Sequence, residues 1–506
     1  MNMPAERLHH ESDLQQLLDG IADAPAIRIS GITSDSRKLQ PGELFIAVAG
    51  IDSHGLDYLE QAIAAGAAAV IHDGAANLSG SMPADIPIVC VPDLAAQQGI
   101  IADRWFASPS ATLRVAGVTG TNGKTTVAYL IAQCLQMLNR KCAYVGTLGS
   151  GIAELDASSG MTTPACIDLH RLLADFRDGG AAYVALEVSS HALVQQRVGG
   201  VRFDAALFTN LSRDHIDYHG DMAAYGEAKA KLFLETSARH RIVNVDTEFG
   251  ARLADRCGDD TIVVSTDTGR PGNGRAYVVL RSVVAQHDGS IVSIQSSWGD
   301  ADFMLPLVGE FNVANALAVF ALLLCWGIPI VQAADVLEGV HAPPGRMQKV
   351  EVDGDAALPA VYVDYAHTPD ALEVALRALR SHCSGQLWCV FGCGGDRDQG
   401  KRPLMGEVVS DRADRAVVTN DNPRSEDPAQ IIGEVMSAMG ENAIAIEDRA
   451  SAIAWTIANA QADDIVLIAG KGHEITQQIG DSLQRFSDYE CALSNLASRQ
   501  EAGAAT

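Results

Sequence analysis

The ten residues Gly117-Val-Thr-Gly-Thr-Asn-Gly-Lys-Thr-Thr126 combine three glycines with a lysine and a closing threonine pair. They follow the apolar run Arg114–Val118 and open a helical run from about Lys124 to Leu138. A glycine-rich turn between strand and helix presents backbone N–H groups and the positive end of the helix dipole, a surface suited to polyphosphate. Lys124 would bridge the outer phosphates, and the Thr125 hydroxyl would face Mg²⁺. The loop departs from strict phosphate-loop spacing, with Val118 where a glycine is usual and glycines at 117 and 120 instead. The rival reading, a generic glycine-rich turn with an incidental lysine, accounts less well for strand, loop and helix together.

Two further segments carry chemistry near that loop. Glu187 stands near the end of the apolar run Tyr183–Val188, and Asn210-Leu-Ser-Arg-Asp-His215-Ile-Asp217 follows the run Ala205–Thr209. A carboxylate and an imidazole at neighbouring strand ends could hold Mg²⁺, although that ion favours oxygen ligands. Taken singly, each reads better as an ion-pair, capping or hydrogen-bonding residue. The run Tyr225–Phe233, with Lys229 and Lys231, reads by itself as an amphipathic helix with solvated lysines.

These residues need a parallel sheet to position them. At 506 residues the chain requires two to four domains. Residues from about 25 to 105 mix short β-rich runs (Leu44–Val48, Ala68–Ile71, Ile88–Val91) with alanine-rich helical stretches, a small α/β domain. From Leu113 apolar strands alternate with helices, including Arg241–Val245, which implies a mostly parallel sheet covered on both faces. Residues 260–308 read as a β meander, and His341–Arg346, with two prolines and a glycine, as a linker. Beyond it the α/β rhythm restarts, with strand candidates Ala360–Asp364, Leu387–Phe391, Arg415–Thr419 and Ile465–Ala469. Each ends in a Gly-, Asp-, His- or Arg-rich segment, where parallel sheets bind ligands. The fold class expected is α/β in three domains: a small N-terminal α/β domain, a central phosphate-loop sheet and a C-terminal Rossmann-like domain.

A net charge of −26 argues against a nucleic-acid protein, which needs clustered cations. Ten cysteines without paired spacing read as reduced cytoplasmic thiols rather than a disulfide framework. The N-terminal residues lack an apolar signal-peptide core. The apolar stretch Ala316–Val331 is too short for a membrane span and is broken at Gly327 and Pro329, so a buried helix is expected.

The segment GTNGKTT resembles the ATP loop of the Mur ligases and of their relative folylpolyglutamate synthetase. The resemblance covers about residues 25 to 490. It implies an N-terminal UDP-binding domain over 1–110, a central ATPase domain over 111–342 and an amino-acid-binding domain over 343–506. Gly120, Thr121, Asn122, Gly123, Lys124, Thr125 and Thr126 become the expected ATP contacts. Asn312, with Asn315 beside it, Arg346, Asp364 and His367 join them, although Asn312 could also cap its helix. Thr125, Glu187 and His215 become expected Mg²⁺ ligands. Lys229 matches a family lysine that carries a carbamate, an anionic oxygen donor suited to a hard cation. The implied catalytic residues are thus Lys124, Glu187, His215 and Lys229.

Ser36 and Asp52-Ser53-His54 match the family's UDP contacts, and Thr162, Thr163, Ser189, Gln195 and Arg197 match contacts to UDP-N-acetylmuramoyl dipeptide. Three C-terminal motifs, Gly392–Pro403, Asp421-Asn-Pro-Arg424 and Gly470-Lys-Gly-His-Glu474, point to the diaminopimelate-adding branch. There Arg397, Asp421, Asn422, Pro423, Arg424, Gly470 and Glu474 are the implied amino-acid contacts. Arg424 would grip the far carboxylate of diaminopimelate by two parallel hydrogen bonds, and Asp421 would accept the far ammonium. The expected activity is ATP-dependent addition of meso-diaminopimelate to UDP-N-acetylmuramoyl-L-alanyl-D-glutamate through an acyl phosphate, in a cytoplasmic, monomeric enzyme. A lysine-using relative and another member of the wider family remain alternatives. A GTPase switch is a third, though no NKxD guanine-reading motif is present.

Overall fold

The computed structural model describes residues 12–50, 53–74, 86–156, 160–269, 274–352, 358–440 and 443–504. The chain divides into two compact units. The first comprises residues 1–124, 139–242 and 252–260, and the second residues 125–138, 243–251 and 261–506.

In the first unit, strands Ile32–Thr33, Leu44–Ala47, Ala69–His72 and Ile88–Cys90 form a parallel sheet in that order. Leu44, Ile46, Ala69 and Ile71 turn one face into a core shared with Leu94 and Ile101 of helix Leu94–Trp105. A second array runs Phe203–Phe208, Arg114–Thr119, Tyr183–Glu187, Cys142–Gly146, Gly149–Ile152. The first four strands are parallel and the last pairs antiparallel. Arg114–Thr119 is buried from Val115 onward, the continuous apolar run of a strand covered on both faces. Its register places Val118 beside Glu187 and Thr119 beside Phe208. The glycine-rich loop, Glu187 and the Thr209-Asn210 turn therefore leave one carboxyl edge of the sheet together.

In the second unit, Tyr277–Gln286, Gly289–Ser296 and Gly299–Leu305 form the expected antiparallel meander, but Thr261–Ser265 joins it in parallel. The apolar helix spans Glu310–Cys325, earlier than the apolar stretch alone indicates. It ends where Gly327 takes φ +78°, and a separate helix runs Ile330–Glu338. No helix among the described residues is long and apolar enough to cross a membrane. The last sheet has the order Gln348–Lys349, Ala360–Asp364, Ile465–Ala469, Leu387–Phe391, Arg415–Val418, Ala443–Ala445. All its pairings are parallel except the first. Leu387, Phe391, Leu467 and Leu376 fill one face and Val363, Val390, Ile468 and Ile453 the other.

Candidate active site

The turn Thr209–Ser212 clasps the glycine-rich loop. Thr209 Oγ1 donates to Asn122 O at 2.5 Å, Thr121 N donates to Asn210 O at 2.9 Å, and Asn122 N donates to Asn210 Oδ1 at 3.0 Å. Ser212 N donates to Thr121 Oγ1 at 3.0 Å. A side chain at Gly120 would place its Cβ 1.9 Å from Thr209 Oγ1, and Gly120 itself has φ +149°, so only glycine fits this approach. The clasp thereby fixes the loop where it enters helix Lys124–Met137, whose N-terminus suits an anion.

Two lysines converge on that loop. Lys124 Nζ donates to the carbonyls of Gly120 at 2.9 Å and Thr121 at 2.8 Å. Lys229, on helix Met222–Leu234, reaches the same Gly120 carbonyl at 2.7 Å. It is 1% exposed, so the solvated-helix reading is corrected for this residue, whereas Lys231 is partly exposed and near Glu235. The Lys229 ammonium lies 4.3 Å from the centre of the Tyr225 ring. Burial, reinforced by the charge of Lys124 and opposed by Asp214, lowers its pKa to about 6. Burial thus favours the neutral amine of Lys229, the form that can react with CO₂.

Glu187 is fully buried at its strand end. Its carboxylate accepts from Tyr144 Oη at 2.5 Å, Thr147 N at 3.0 Å and Thr147 Oγ1 at 3.2 Å. His215 is exposed, in the left-handed region at φ +52°, with its ring 4.9 Å from that of His191 and 6.0 Å from that of Tyr225. Among the described residues, no three His, Cys, Asp or Glu side chains stand close enough to form a metal cage. Thr125 and Thr126 are buried at the first turn of their helix.

Beside Glu187 the structure gathers five of the expected UDP-substrate contacts. Thr163 Oγ1 donates to Glu187 O at 2.8 Å and accepts from Ser189 N at 3.1 Å. Thr162 Oγ1 lies 3.1 Å from Thr147 Oγ1. The Arg197 guanidinium holds Gln195 Oε1 at 2.6 Å and the Thr163 carbonyl at 3.0 Å. Ser36 is not in this cluster; its hydroxyl donates to Gln61 Oε1 at 3.0 Å in the smaller sheet's domain. There His54 caps helix Gly55–Tyr58 and meets Asp73 at 2.9 Å, and Asp52 lies outside the described residues.

In the second unit Asn312 donates to Val308 O at 2.9 Å and accepts from Asn315. It does not cap its helix, whose N-cap is Gly309. Asp364 accepts from Met347 N at 2.7 Å and Ala366 N at 2.8 Å, bracing the turn after its strand, and burial raises its pKa. Arg346 stacks 4.8 Å over Tyr365, and its buried Nε has no hydrogen-bond partner among the described residues. His367 is exposed, and its carbonyl accepts from Lys401 at 2.8 Å.

Asp421, Asn422, Gly470 and Glu474 of the expected amino-acid contacts stand together. Asn422 Nδ2 donates to Glu474 Oε2 at 3.0 Å, and a Cβ on Gly470 would stand 2.6 Å from Asp421 Oδ2. Pro423 is buried between Asn422 and Arg424. Arg424 donates to Gly395 O at 2.7 Å. It sits in the left-handed region at φ +52°, held by Arg424 N to Gln478 O at 3.2 Å and Gly480 N to Arg424 O at 2.7 Å. Strained backbone in a bulky residue persists only where its surroundings impose it, and such positions cluster at ligand sites. Arg397 is exposed nearby, its Cγ 3.8 Å from where a Gly394 side chain would begin. Burial raises the Asp421 carboxyl, against the charges of Arg449 and Lys471.

Sequence reasoning passed over Lys471, Arg402 and the Arg449–Asp488 pair, all buried here. Lys471 lies inside a quoted motif between two glycines. Arg449 opens a helix, where the dipole disfavours a cation, and that misfit was the available signal for a buried partner.

Three family models match this chain. They are "Mur ligase family, catalytic domain" over residues 28–103, "Mur ligase middle domain" over 118–323 and "Mur ligase, glutamate ligase domain" over 345–472. The chain is 44% identical over 497 residues to a UDP-N-acetylmuramoyl-L-alanyl-D-glutamate–2,6-diaminopimelate ligase of Alkalilimnicola ehrlichii, covering 97% of this chain and 99% of that protein. The Pseudomonas aeruginosa protein of the same name is 44% identical over 93% of this chain and 95% of its own length. A solved structure of a ligase of that name superposes with a TM-score of 0.73 at 34% identity, over 97% of this chain and 99% of that one. MurF of Thermotoga maritima, solved with ADP, shares the fold with a TM-score of 0.62 at 17% identity, over 93% of this chain and 98% of that one. With near full-length relatives at this identity and three domains matched in order, the chain belongs to the Mur ligase family, ATP-dependent ligases of an acid and an amino acid.

Proposed function

We propose that this chain joins meso-diaminopimelate to UDP-N-acetylmuramoyl-L-alanyl-D-glutamate, driven by ATP, in peptidoglycan precursor synthesis in the cytoplasm. The observation that carries the choice of amino acid is Arg424, strained at φ +52° within the network that holds Asp421, Asn422 and Glu474. Diaminopimelate carries an ammonium and a carboxylate at each end. Two carboxylates with two arginines, Arg397 and Arg424, match that pattern, whereas lysine leaves one arginine without an anion.

The substrate carboxylate is a poor electrophile toward an amine. Attack of its oxygen on the γ-phosphoryl of ATP forms a C–O–P bond and releases ADP, giving an acyl phosphate. The unprotonated amine then attacks the acyl carbon, the C–O bond to phosphate breaks, and the amine's proton passes to the departing phosphate or solvent, leaving an amide and inorganic phosphate. The loop amides and Lys124 bind and orient the phosphates, an electrostatic and positional role. Thr162, Thr163, Ser189, Gln195 and Arg197 position the UDP-linked acid, with Ser36 at its nucleotide end. Asn312, Arg346, Asp364 and His367 are proposed nucleotide contacts, supported for Arg346 by its buried Nε without a partner.

Thr125, Glu187, His215 and Lys229 as a carbamate would hold Mg²⁺. The donor set fits an ion that takes few protein ligands and keeps waters and phosphate oxygens, and the neutral amine of Lys229 suits carbamate formation. Such an ion supplies charge neutralisation of the phosphoryl oxygens. We place the domain boundaries near residues 110 and 342.

An amino-acid panel with ATP and UDP-N-acetylmuramoyl-L-alanyl-D-glutamate tests the reading. Phosphate release should require both substrates and an amino acid. It should favour meso-diaminopimelate over L-lysine by roughly a hundredfold in kcat/KM, since leaving a buried charge unpaired costs about 2–5 kcal/mol. A preference for lysine would overturn the assignment of the amino acid.

A further inference from the structure

The segments after strands Arg415–Val418 and Ile465–Ala469 are tied together through one lysine. Lys471 is fully buried, and its Nζ donates to Asn422 Oδ1 at 3.0 Å and to Glu474 Oε2 at 2.9 Å. Asn422 Nδ2 donates to the same Glu474 oxygen at 3.0 Å, and Asn422 Oδ1 also accepts from Gln478 N at 3.0 Å. These bonds allow the Asn422 amide one orientation, because a flip would set its NH₂ against two donors. They also load Glu474 Oε2 with two donors, while no side chain among the described residues is hydrogen-bonded to Oε1.

We propose that Lys471 is a positioning residue for the amino-acid substrate, locking Asn422 and Glu474 into one unit in which Glu474 is set to accept the ammonium of the incoming amino acid. This rests on the reading of Asn422 and Glu474 as amino-acid contacts. Electrostatics support the geometry. Burial pushes the Glu474 carboxyl up, but the bonds from Lys471 and Asn422 outweigh it and hold the carboxyl below its ordinary range. The charged and titratable groups around it are Asp421, His473 and Tyr365, with Arg449 and Asp488 behind Asp421 and Arg346 and Arg397 beyond Tyr365. Among the described residues, Lys471 is the cation hydrogen-bonded to Glu474, whereas Arg449 acts on it only through space. A lysine that merely filled space would not set the protonation of its neighbour.

The test uses the full chain with Lys471→Met, Lys471→Gln and Lys471→Arg, and Glu474→Gln as reference. KM is measured for the amino acid, ATP and the UDP-linked acid, together with the acid limb of kcat/KM for the amino acid and the melting temperature. Lys471→Met should raise KM for the amino acid about tenfold to a hundredfold, the range of a lost charge-assisted hydrogen bond. KM for ATP and the UDP-linked acid should stay within about twofold, since those contacts are untouched. The acid limb should move to higher pH, because Glu474 loses the bond that favours its charged form. Lys471→Arg should restore the acid limb more fully than KM. If Lys471→Met does not fold, Lys471→Gln, which keeps a donor but no charge, should show the same acid-limb shift. The proposal is overturned if a folded neutral variant keeps the wild-type amino-acid KM and acid limb, or if all three KM values rise together. An unchanged amino-acid KM in Glu474→Gln would instead overturn the underlying site reading.

Discussion

The phosphate loop and the amino-acid network both gather cations at the carboxyl ends of parallel strands, and they satisfy them in opposite ways. Lys124 and Lys229 donate to the backbone carbonyls of Gly120 and Thr121. In the amino-acid network the buried cations meet carboxylates: Arg402 with Glu426 and Glu434, Arg449 with Asp488, Lys471 with Glu474. A carbonyl dipole neutralises a cation far less than a carboxylate does. At the loop Lys124 therefore keeps positive potential for a polyphosphate, and at Lys229 burial disfavours the charged form. The buried cations there are already paired, so the discriminating charge would come from Arg424, which donates to the Gly395 carbonyl rather than to a carboxylate. Activating an acid needs strong electrostatics; choosing between two amino acids that differ by one carboxylate needs a fixed pattern of donors and acceptors.

The largest test of that contrast is Lys124→Ala. It removes the cation proposed to orient the outer phosphates, and turnover should fall about a thousandfold or more, as with other preorganised charges at a reacting centre. The fold should persist, because Lys124 ends in hydrogen bonds to loop carbonyls rather than in the core. Near-normal turnover with an unchanged circular dichroism spectrum would break the phosphate-loop half of the comparison.

Lys229→Ala should follow, with a loss of roughly a hundredfold that small carboxylic acids partly restore by replacing the carbamate oxygens. The wild-type chain incubated with ¹³C-bicarbonate should show a carbamate resonance that is absent from Lys229→Ala. That signal should fade as pH falls through about 6, where the folded-state amine takes up its proton and stops being a nucleophile. The sign follows from a lowered pKa in a base: unprotonated above about 6, cationic below it. Full activity in Lys229→Ala without added acid would remove the carbamate from the account.

Most of the scaffold was legible because its strands are buried on both faces and written as short apolar runs. Ala360–Asp364, Leu387–Phe391 and Ile465–Ala469 are found where those runs predict them. The long apolar helix was displaced by six residues at its start, Glu310 rather than Ala316, because its polar residues Asn312 and Asn315 are buried with internal partners. The parallel pairing of Thr261–Ser265 with the meander is a long-range choice that alternation cannot encode. At the site, motif residues were legible and their supports were not. The Thr209–Ser212 clasp joins residues about ninety positions apart. Lys229 and Lys231 differ by two positions, yet the first is buried and the second partly exposed, which packing against Tyr225 and the loop decides.

The central claim is that one network selects diaminopimelate by its far carboxylate, and Arg424→Ala tests it most directly. The measurement is the ratio of kcat/KM for meso-diaminopimelate to that for L-lysine, in wild type, Arg424→Ala and Arg424→Lys. Removing the guanidinium leaves the far carboxylate poorly paired as it is desolvated, a cost of about 2–5 kcal/mol. Lysine has no such carboxylate and should lose far less. The account predicts that the ratio collapses in Arg424→Ala, chiefly through weaker use of diaminopimelate. Arg424→Lys should recover only part of it, since a point charge cannot reproduce two-pronged pairing. A ratio unchanged in Arg424→Ala would contradict the claim while leaving the ligase chemistry at the phosphate loop standing.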